Sequence, residues 1–312
     1  MADILVTEFM RLEALEPLRA RFTVDVDAEL WSRPDDLISR IADVKALIVR
    51  NRTQITAAVV AAAPNLRAVG RLGVGLDNID LNACRTRDIA VLPALGANAV
   101  SVAEYVLTAI LWHARGAAFT AHGAVAQGQW PREAASGTRE ISGRTLGLVG
   151  LGSIGRTVAT RAAALGLNVV AYDAALEPGD DAWRGVERVT LQEVLSRAEF
   201  ISLHCPLTDA TRGLIGAAQI STMRRDALLI NTARGGIVDH AALADALRTK
   251  RIGGAVLDVF EPEPIGAEDV RLFEGIETAV LTPHVAGVTV DSNERISDIT
   301  VQNVLAALTG VS

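Results

Sequence analysis

Cysteine is almost missing from this chain: Cys84 and Cys205 are the only two, far apart and in unrelated contexts. Two such thiols build neither a disulfide framework nor a thiolate metal site, so a reducing compartment is expected and a metal is not. Long apolar runs are missing too. No segment reaches the ~18 uncharged apolar residues of a membrane span. The N-terminal MADILVTEFM carries Asp3 and Glu8 beside an apolar run too short for a signal peptide. The expected location is therefore cytoplasmic. Positive charge is in deficit, with 30 Lys and Arg against 37 Asp and Glu and no local basic cluster. The resulting net charge of -7 repels nucleic acid and acidic membrane surfaces and removes both from the expected partners. Aromatic residues supply only 4% of a chain that is half apolar. What is there instead are short Val, Ile, Leu and Ala runs, which suit buried parallel strands under Ala-rich helices.

At 312 residues the chain exceeds what one core ordinarily serves, and two domains are expected. As far as IAVLP, β-type runs such as ILVTEF, TVDVD, KALIVR and LRAVGRL alternate with helical segments such as EALEPLRARF and ITAAVVAAA. This alternation predicts right-handed βαβ units and a parallel sheet. Ser101 and Glu104, three apart before YVLTAILW, then predict a capping box opening a long apolar helix that must be buried against another domain or subunit. His122 to Gly143 is too irregular for a strand or a long helix. A second alternation, TLGLVG, NVVAYD, FISLHC, ALLINT, GAVLDV and AVLTPH, predicts a second parallel sheet of about six strands. Asp291 and Glu294 read as another capping pair, before Ile296, Ile299, Val304, Leu305 and Leu308 at helical spacing. That last helix is expected to return to the first domain. The reading is an α/β protein with one domain at 1–98 and 289–312 and another at 99–288.

In VGLGSIGR, Gly150, Gly152 and Gly155 follow a strand and open a helix, and Asp173 ends the next strand. The three glycines act differently. Gly150 makes the tight turn, Gly152 admits a pyrophosphate, and Gly155 lets helix and strand pack closely. The free N–H groups of the new helix then receive the phosphates. Asp173 would bond a ribose 2'-hydroxyl and repel a 2'-phosphate, and Ala174 and Ala175 follow it rather than an arginine. NAD is the expected cofactor.

A dinucleotide implies hydride transfer, and hydride transfer to a carbonyl needs a proton donor, for which histidine is best suited. His113 lies in the apolar helix, His122 in the irregular stretch, and His240 at a helix start where solvation is expected. His204 ends FISLHC and could line a cofactor cleft. His284, in LTPHVAG, emerges just after a strand at the carboxyl edge of the sheet, where ligands of such folds bind. Arg234, in LLINTARGGIVD, and Glu263, after GAVLDVF, share that edge. Snorkelling accounts equally well for an arginine there when it is taken alone. Together the three read as clamp, orienter and acid: a guanidinium fork holds a carboxylate and polarises the adjoining carbonyl, while a carboxylate orients an imidazole. Glu261 competes with Glu263 on spacing, and Asp258 could also reach a ligand. In the first domain, the N–H groups around Val74 and Gly75, after Gly73, form either an anion-binding nest or an ordinary turn. Arg50, Arg52 and Arg71 lie at or near strand ends and would suit a substrate with more than one negative charge, or be solvated surface arginines.

In this order and spacing, GRLGVGLDNIDLNAC, NAVSVAEYVL, GLVGLGSIGR, HCPLTDATRGLI, LLINTARGGIVD, GAVLDVFEPEP and LTPHVAG resemble the D-isomer-specific 2-hydroxyacid dehydrogenases, in their phosphoglycerate-dehydrogenase-like branch. The resemblance spans nearly the whole chain. It implies two Rossmann-like domains around a cleft, a flavodoxin-like substrate domain and an NAD domain, a homodimer built through the latter, and hydride exchange with a D-2-hydroxy acid. It implies Arg234, Glu263 and His284 as the catalytic set, with Glu263 chosen over Glu261. It extends the cofactor set to Ser153, Ile154, His204, Cys205, Pro206, Thr211, Thr232, Ala233 and Asp258. It puts Gly73, Val74 and Gly75 on the substrate carboxylate. The stretch from ALIVRNRTQI to ACRTRDIAVLPA is also similar to 3-sulfolactate dehydrogenases. A C3 anion would need a further cation, from Arg50 to Arg52 with Asn51 between them, or from Arg132. Since the chain stops near Ser312, the regulatory domain of longer phosphoglycerate dehydrogenases is not expected. An NADH-sensing corepressor and a broad glyoxylate or hydroxypyruvate reductase are the competing readings.

Overall fold

The computed structural model describes residues 2–310. The chain divides into two compact units, Met1–Asn98 with Val288–Ser312 and Ala99–Gly287.

The first unit is built on five parallel strands, β1 (Ile4–Val6), β2 (Val24–Val26), β3 (Ala46–Val49), β4 (Ala68–Arg71) and β5 (Ala90–Pro93), in the order β2-β1-β3-β4-β5. This is the flavodoxin-like order. Side chains alternate across the sheet as the pleat requires. Leu5, Leu47 and Val69 stand in register on one face. On the other, Ile4, Ala46 and Ala68 meet Ile296, Val301, Val304 and Leu308 of the helix Val290–Thr309. Each fully buried Leu or Ile contributes about 1.5–3 kcal/mol. That helix lies so close to β4 that a Cβ at Gly70 would come within 2.6 Å of Val304 and 2.9 Å of Thr300. Its cap is not the expected Asp291 and Glu294. Thr289 and Ser292 cap it reciprocally, Ser292 N–H donating to Thr289 Oγ1 at 3.0 Å and Thr289 N–H to Ser292 Oγ at 2.9 Å.

The second unit carries seven parallel strands, one more than the expected six: β6 (Thr145–Val149), β7 (Asn168–Tyr172), β8 (Glu187–Arg188), β9 (Phe200–Leu203), β10 (Leu228–Asn231), β11 (Gly254–Leu257) and β12 (Ala279–Leu281). The extra strand, β8, is two exposed residues at the edge, too short and too charged to show as an apolar run. The order β12-β11-β10-β9-β6-β7-β8 is that of a doubly wound dinucleotide-binding sheet, with its reversal beside β6. The long helix runs Ala99–Thr120, beginning two residues before the expected capping box. Ser101 is buried inside its first turn, and Glu104 pairs with Arg161 of the helix Ser153–Ala164 at 2.9 Å instead of reaching back to a cap. One face, including Val102, Val106 and Ile110, packs in the core, while Leu111, Trp112 and Phe119 are exposed. The irregular stretch holds only the short helices His122–Ala126 and Arg132–Ser136. Among the described residues no helix is long and apolar enough to cross a membrane.

Candidate active site

Strands β10, β11 and β12 are neighbours, so Arg234, Glu263 and His284 leave adjoining carboxyl ends of one sheet. Arg234 is placed by Asn231, a fully buried residue whose side chain accepts from Ala233 N–H at 3.0 Å and donates to Arg234 O at 2.9 Å. The next two glycines let another loop lie against this one. A Cβ at Gly235 would strike the Phe260 carbonyl, and one at Gly236 would strike Glu261. Glu261 is taken up by Arg212 at 2.8 Å, whereas Glu263 reaches His284, its Oε2 lying 2.6 Å from Nδ1. Burial alone would raise the Glu263 carboxyl. The His284 hydrogen bond, the Phe260 N–H at 3.0 Å and the charges of His284 and Arg234 more than offset it and hold the group below the ordinary glutamate range. With Nδ1 engaged, Nε2 is the nitrogen of His284 left for a ligand.

His284 has φ 55°, a left-handed conformation uncommon among residues other than glycine. Asp258 holds it there. Its carboxylate, 1% exposed, accepts from Val285 N–H at 2.9 Å, Ala286 N–H at 2.8 Å and Thr282 Oγ1 at 2.5 Å, and its carbonyl accepts from His284 N–H at 2.8 Å. Because Thr282 donates to Asp258, the Tyr105 hydroxyl, 2.6 Å from Thr282 Oγ1, is the donor in that contact. Asp258 thus anchors the histidine loop.

The glycine loop follows β6. Gly150 has φ 98°, and a Cβ there would lie 2.7 Å from the main chain of His204 and Cys205. A Cβ at Gly155 would strike the Gly150 carbonyl, so the helix Ser153–Ala164 can sit this close only without one. Gly152, the N-cap before Ser153 and Ile154, faces open space with nothing within 4 Å of its missing Cβ. Asp173 braces the loop: Oδ2 accepts from Leu151 N–H at 2.7 Å, and Oδ1 from Ala175 and Leu176. Beyond β9, Thr211 Oγ1 donates to Pro206 O at 2.6 Å and accepts from Thr208 N–H. Burial raises the Cys205 thiol and pushes the His204 imidazole down to about 4, so His204 is neutral at pH 7, with Nε2 3.0 Å from Ser202 Oγ. Past β10, Ala233 is buried and Thr232 Oγ1 is buried with no hydrogen-bond partner among the described residues.

In the first unit the candidate residues follow the neighbouring strands β3 and β4. Gly73 has φ 147° and packs on the buried Arg71 guanidinium. Val74 and Gly75 N–H make no hydrogen bond among the described residues, as a nest requires. The Arg50 side chain is half-buried, and that burial pulls the guanidinium below its usual value against the opposing charge of Glu8. Among the described residues its one side-chain hydrogen bond is to neutral Asn293, at 2.8 Å. Arg52 lies 4.4 Å over the Trp31 ring, and Asn51 is exposed.

Residues 107–286 match the family model described as D-isomer specific 2-hydroxyacid dehydrogenase, NAD binding domain. The chain belongs to this family. As a D-2-hydroxyacid dehydrogenase it is 53% identical over 309 residues to the (S)-sulfolactate dehydrogenase of Chromohalobacter salexigens, covering 99% of both chains. It is 41% identical over 276 residues to the D-3-phosphoglycerate dehydrogenase of Mycobacterium bovis, covering 88% of this chain but about half, 51%, of that one. A crystal structure of D-lactate dehydrogenase from Aquifex aeolicus with NAD and lactic acid shares its fold at TM-score 0.84 and 27% identity, over 98% and 96% of the two chains. The enzyme is an NAD-dependent oxidoreductase. The glycine loop fits that cofactor: Gly152 leaves open the space at a helix N-terminus that a pyrophosphate needs, and Thr232 Oγ1 is a buried hydroxyl still lacking a partner.

One expectation for an individual residue needs correction. His240 is not solvated at its helix start; it is 8% exposed, edge-on to the rings of Phe260 and Phe273. Arg132 is exposed on its short helix in the second unit. Sequence reasoning missed Asp258 as the anchor of the histidine loop and missed Glu8 altogether, noting it only as a charge that spoils a signal peptide. An acidic residue two positions past a buried strand was the one available sign.

Proposed function

We propose that this dehydrogenase interconverts a D-2-hydroxy acid carrying a second anionic group at C3 and its 2-oxo acid, with 3-sulfolactate as the first candidate and 3-phosphoglycerate as the second. The observation that carries the substrate class is Arg50, a half-buried guanidinium whose side-chain hydrogen bond goes to a neutral amide. A half-buried cation is stabilised when an anion meets it; Glu8 acts on it only from beyond ion-pair distance, and no other carboxylate of the described residues comes within that distance. The likeness to the (S)-sulfolactate dehydrogenase supports the same class. In sulfolactate the D-type arrangement carries the S descriptor, because sulfur raises the priority of the C3 branch.

Arg234 grips the C1 carboxylate and polarises the C2 carbonyl, with the N–H groups of Val74 and Gly75 and the adjoining Gly73 receiving the carboxylate. NAD, when bound, gives or takes the hydride at C2. His284 Nε2 donates the proton to the C2 oxygen in reduction and accepts it in oxidation, while Glu263 holds Nδ1 and balances the charge the ring gains. Gly150, Gly152, Ser153, Ile154 and Gly155 take the pyrophosphate. Asp173, Cys205, Pro206, Thr211, Thr232, Ala233 and Asp258 complete the cofactor set, with His204 as a neutral wall. Residues 1–98 and 289–312 serve as the substrate domain. The exposed Trp112 and Phe119, stacked at 6.5 Å, support a homodimer formed through the NAD domain, and the enzyme is cytoplasmic.

The test is NADH oxidation with sulfopyruvate, phosphohydroxypyruvate, hydroxypyruvate and glyoxylate. One of the first two should have the highest kcat/KM, and His284→Ala and Arg234→Ala should each lose about 10²–10⁴-fold. Equal efficiency on the last two would remove the second anion. Cofactor binding without turnover on any of them would remove the enzyme reading.

A further inference from the structure

Glu8 follows β1 and is 3% exposed, yet no basic side chain of the described residues lies within ion-pair distance of it. Its partners are all main chain and all in one loop. Oε1 accepts from Arg50 N–H at 2.8 Å and Thr53 N–H at 2.9 Å, and Oε2 from Arg52 N–H at 3.1 Å. Asn78 holds the same loop by its carbonyls, donating to Arg50 O at 3.1 Å and Thr53 O at 2.7 Å, and Thr7 Oγ1 lies 2.7 Å from Thr53 Oγ1. A carboxylate taken out of water needs charge-assisted hydrogen bonds in exchange, and here the chain gathers three converging N–H groups to supply them. Such a cluster would otherwise be an anion site of its own. With Glu8 filling it from inside, an anion arriving from solvent meets the Arg50 side chain and not the loop main chain. The charge of Glu8 also opposes the desolvation of that guanidinium.

On the reading of Arg50 given above, we infer that Glu8 is a positioning residue for substrate choice: it fixes the Arg50–Thr53 main chain, and through it the point at which the guanidinium receives the C3 anion. Glu8→Gln keeps the shape and one acceptor oxygen but removes the charge. The experiment measures kcat and KM for sulfopyruvate and glyoxylate in the wild type, Glu8→Gln, Glu8→Asp and Arg50→Ala, with amide exchange across residues 50–53. In Glu8→Gln, kcat/KM for sulfopyruvate should fall about tenfold more than for glyoxylate, the size of one weakened charge-assisted hydrogen bond, and should do so through KM. Exchange at 50–53 should quicken, and Glu8→Asp should recover part of the preference. If the wild type prefers sulfopyruvate while Glu8→Gln lowers both acids equally, or neither, Glu8 is only a structural cap and the inference falls. If the wild type shows no such preference and Arg50→Ala is unselective, the reading of Arg50 itself falls. Should Glu8→Gln not fold, Glu8→Asp read by the same ratio decides the matter.

Discussion

Replacing Glu263 by Gln takes one charge from the His284 pair and leaves the shape nearly intact. The amide oxygen can still accept from Nδ1, so the ring keeps its orientation; what is lost is the anion that stabilises the positive charge on the ring. Two unit charges ~4 Å apart attract by about 4 kcal/mol at an effective dielectric near 20. This pair is not sealed from water, its side chains being 45% and 34% exposed, so solvent screens much of that. The range for a hydrogen bond to a charged partner, about 1.5–3 kcal/mol, is the better guide. At about 1.4 kcal/mol per factor of ten, kcat for NADH oxidation should fall roughly ten- to a hundredfold, with KM little changed. Glu263→Ala, which also frees the ring, should cost more. Steady-state absorbance assays at neutral pH read both. The reasoning fails if Glu263→Gln stays within about twofold of the wild type, or if it is as damaging as His284→Ala.

The glycine loop separates folding from binding. Gly150→Ala should lower the melting temperature, because φ 98° and the His204 and Cys205 main chain leave no room for a methyl group. Gly152→Ala meets nothing in the protein, so it should melt normally while weakening NADH, as a fluorescence titration would show. Equal stability losses in both would contradict these roles. His204 sets a pH dependence. Its imidazole value is lower folded than unfolded, so the unfolded chain binds the extra proton as pH falls from ~6.5 towards about 4, and stability drops across that window by at most about 1.4 kcal/mol per pH unit. His204→Asn should flatten the denaturation midpoint between those limits, and an unchanged slope would contradict the burial argument.

Elements defined by local pattern were legible in the sequence. The strands other than β8 show as apolar runs because both faces of each sheet are covered, and the glycine loop shows because three of its positions tolerate only glycine or serve best with it. Helix starts were less legible. Thr289, Asp291, Ser292 and Glu294 offer several capping pairs within six residues, and only the path of the chain into the helix selects Thr289 with Ser292. The long helix opens at Ala99, directly after Asn98, whose type favours the N-cap, two residues ahead of the Ser101 that pattern singled out. Residues whose role depends on distant partners were not legible: His240 is buried by rings 20 and more positions away, and Glu8 is defined by N–H groups 42 to 45 residues on.

The helix Val290–Thr309 has a consequence for the order in which the molecule can be completed. The second unit is one unbroken stretch and has all its strands once residue 287 has been made. The sheet that begins at Ile4 lacks one wall until Ile296, Val301, Val304 and Leu308 emerge. The part synthesised first is therefore the part finished last. During translation its apolar face waits for nearly the entire polypeptide, and a chain cut before residue 290 would keep every strand of the cofactor module beside an unclosed N-terminal sheet.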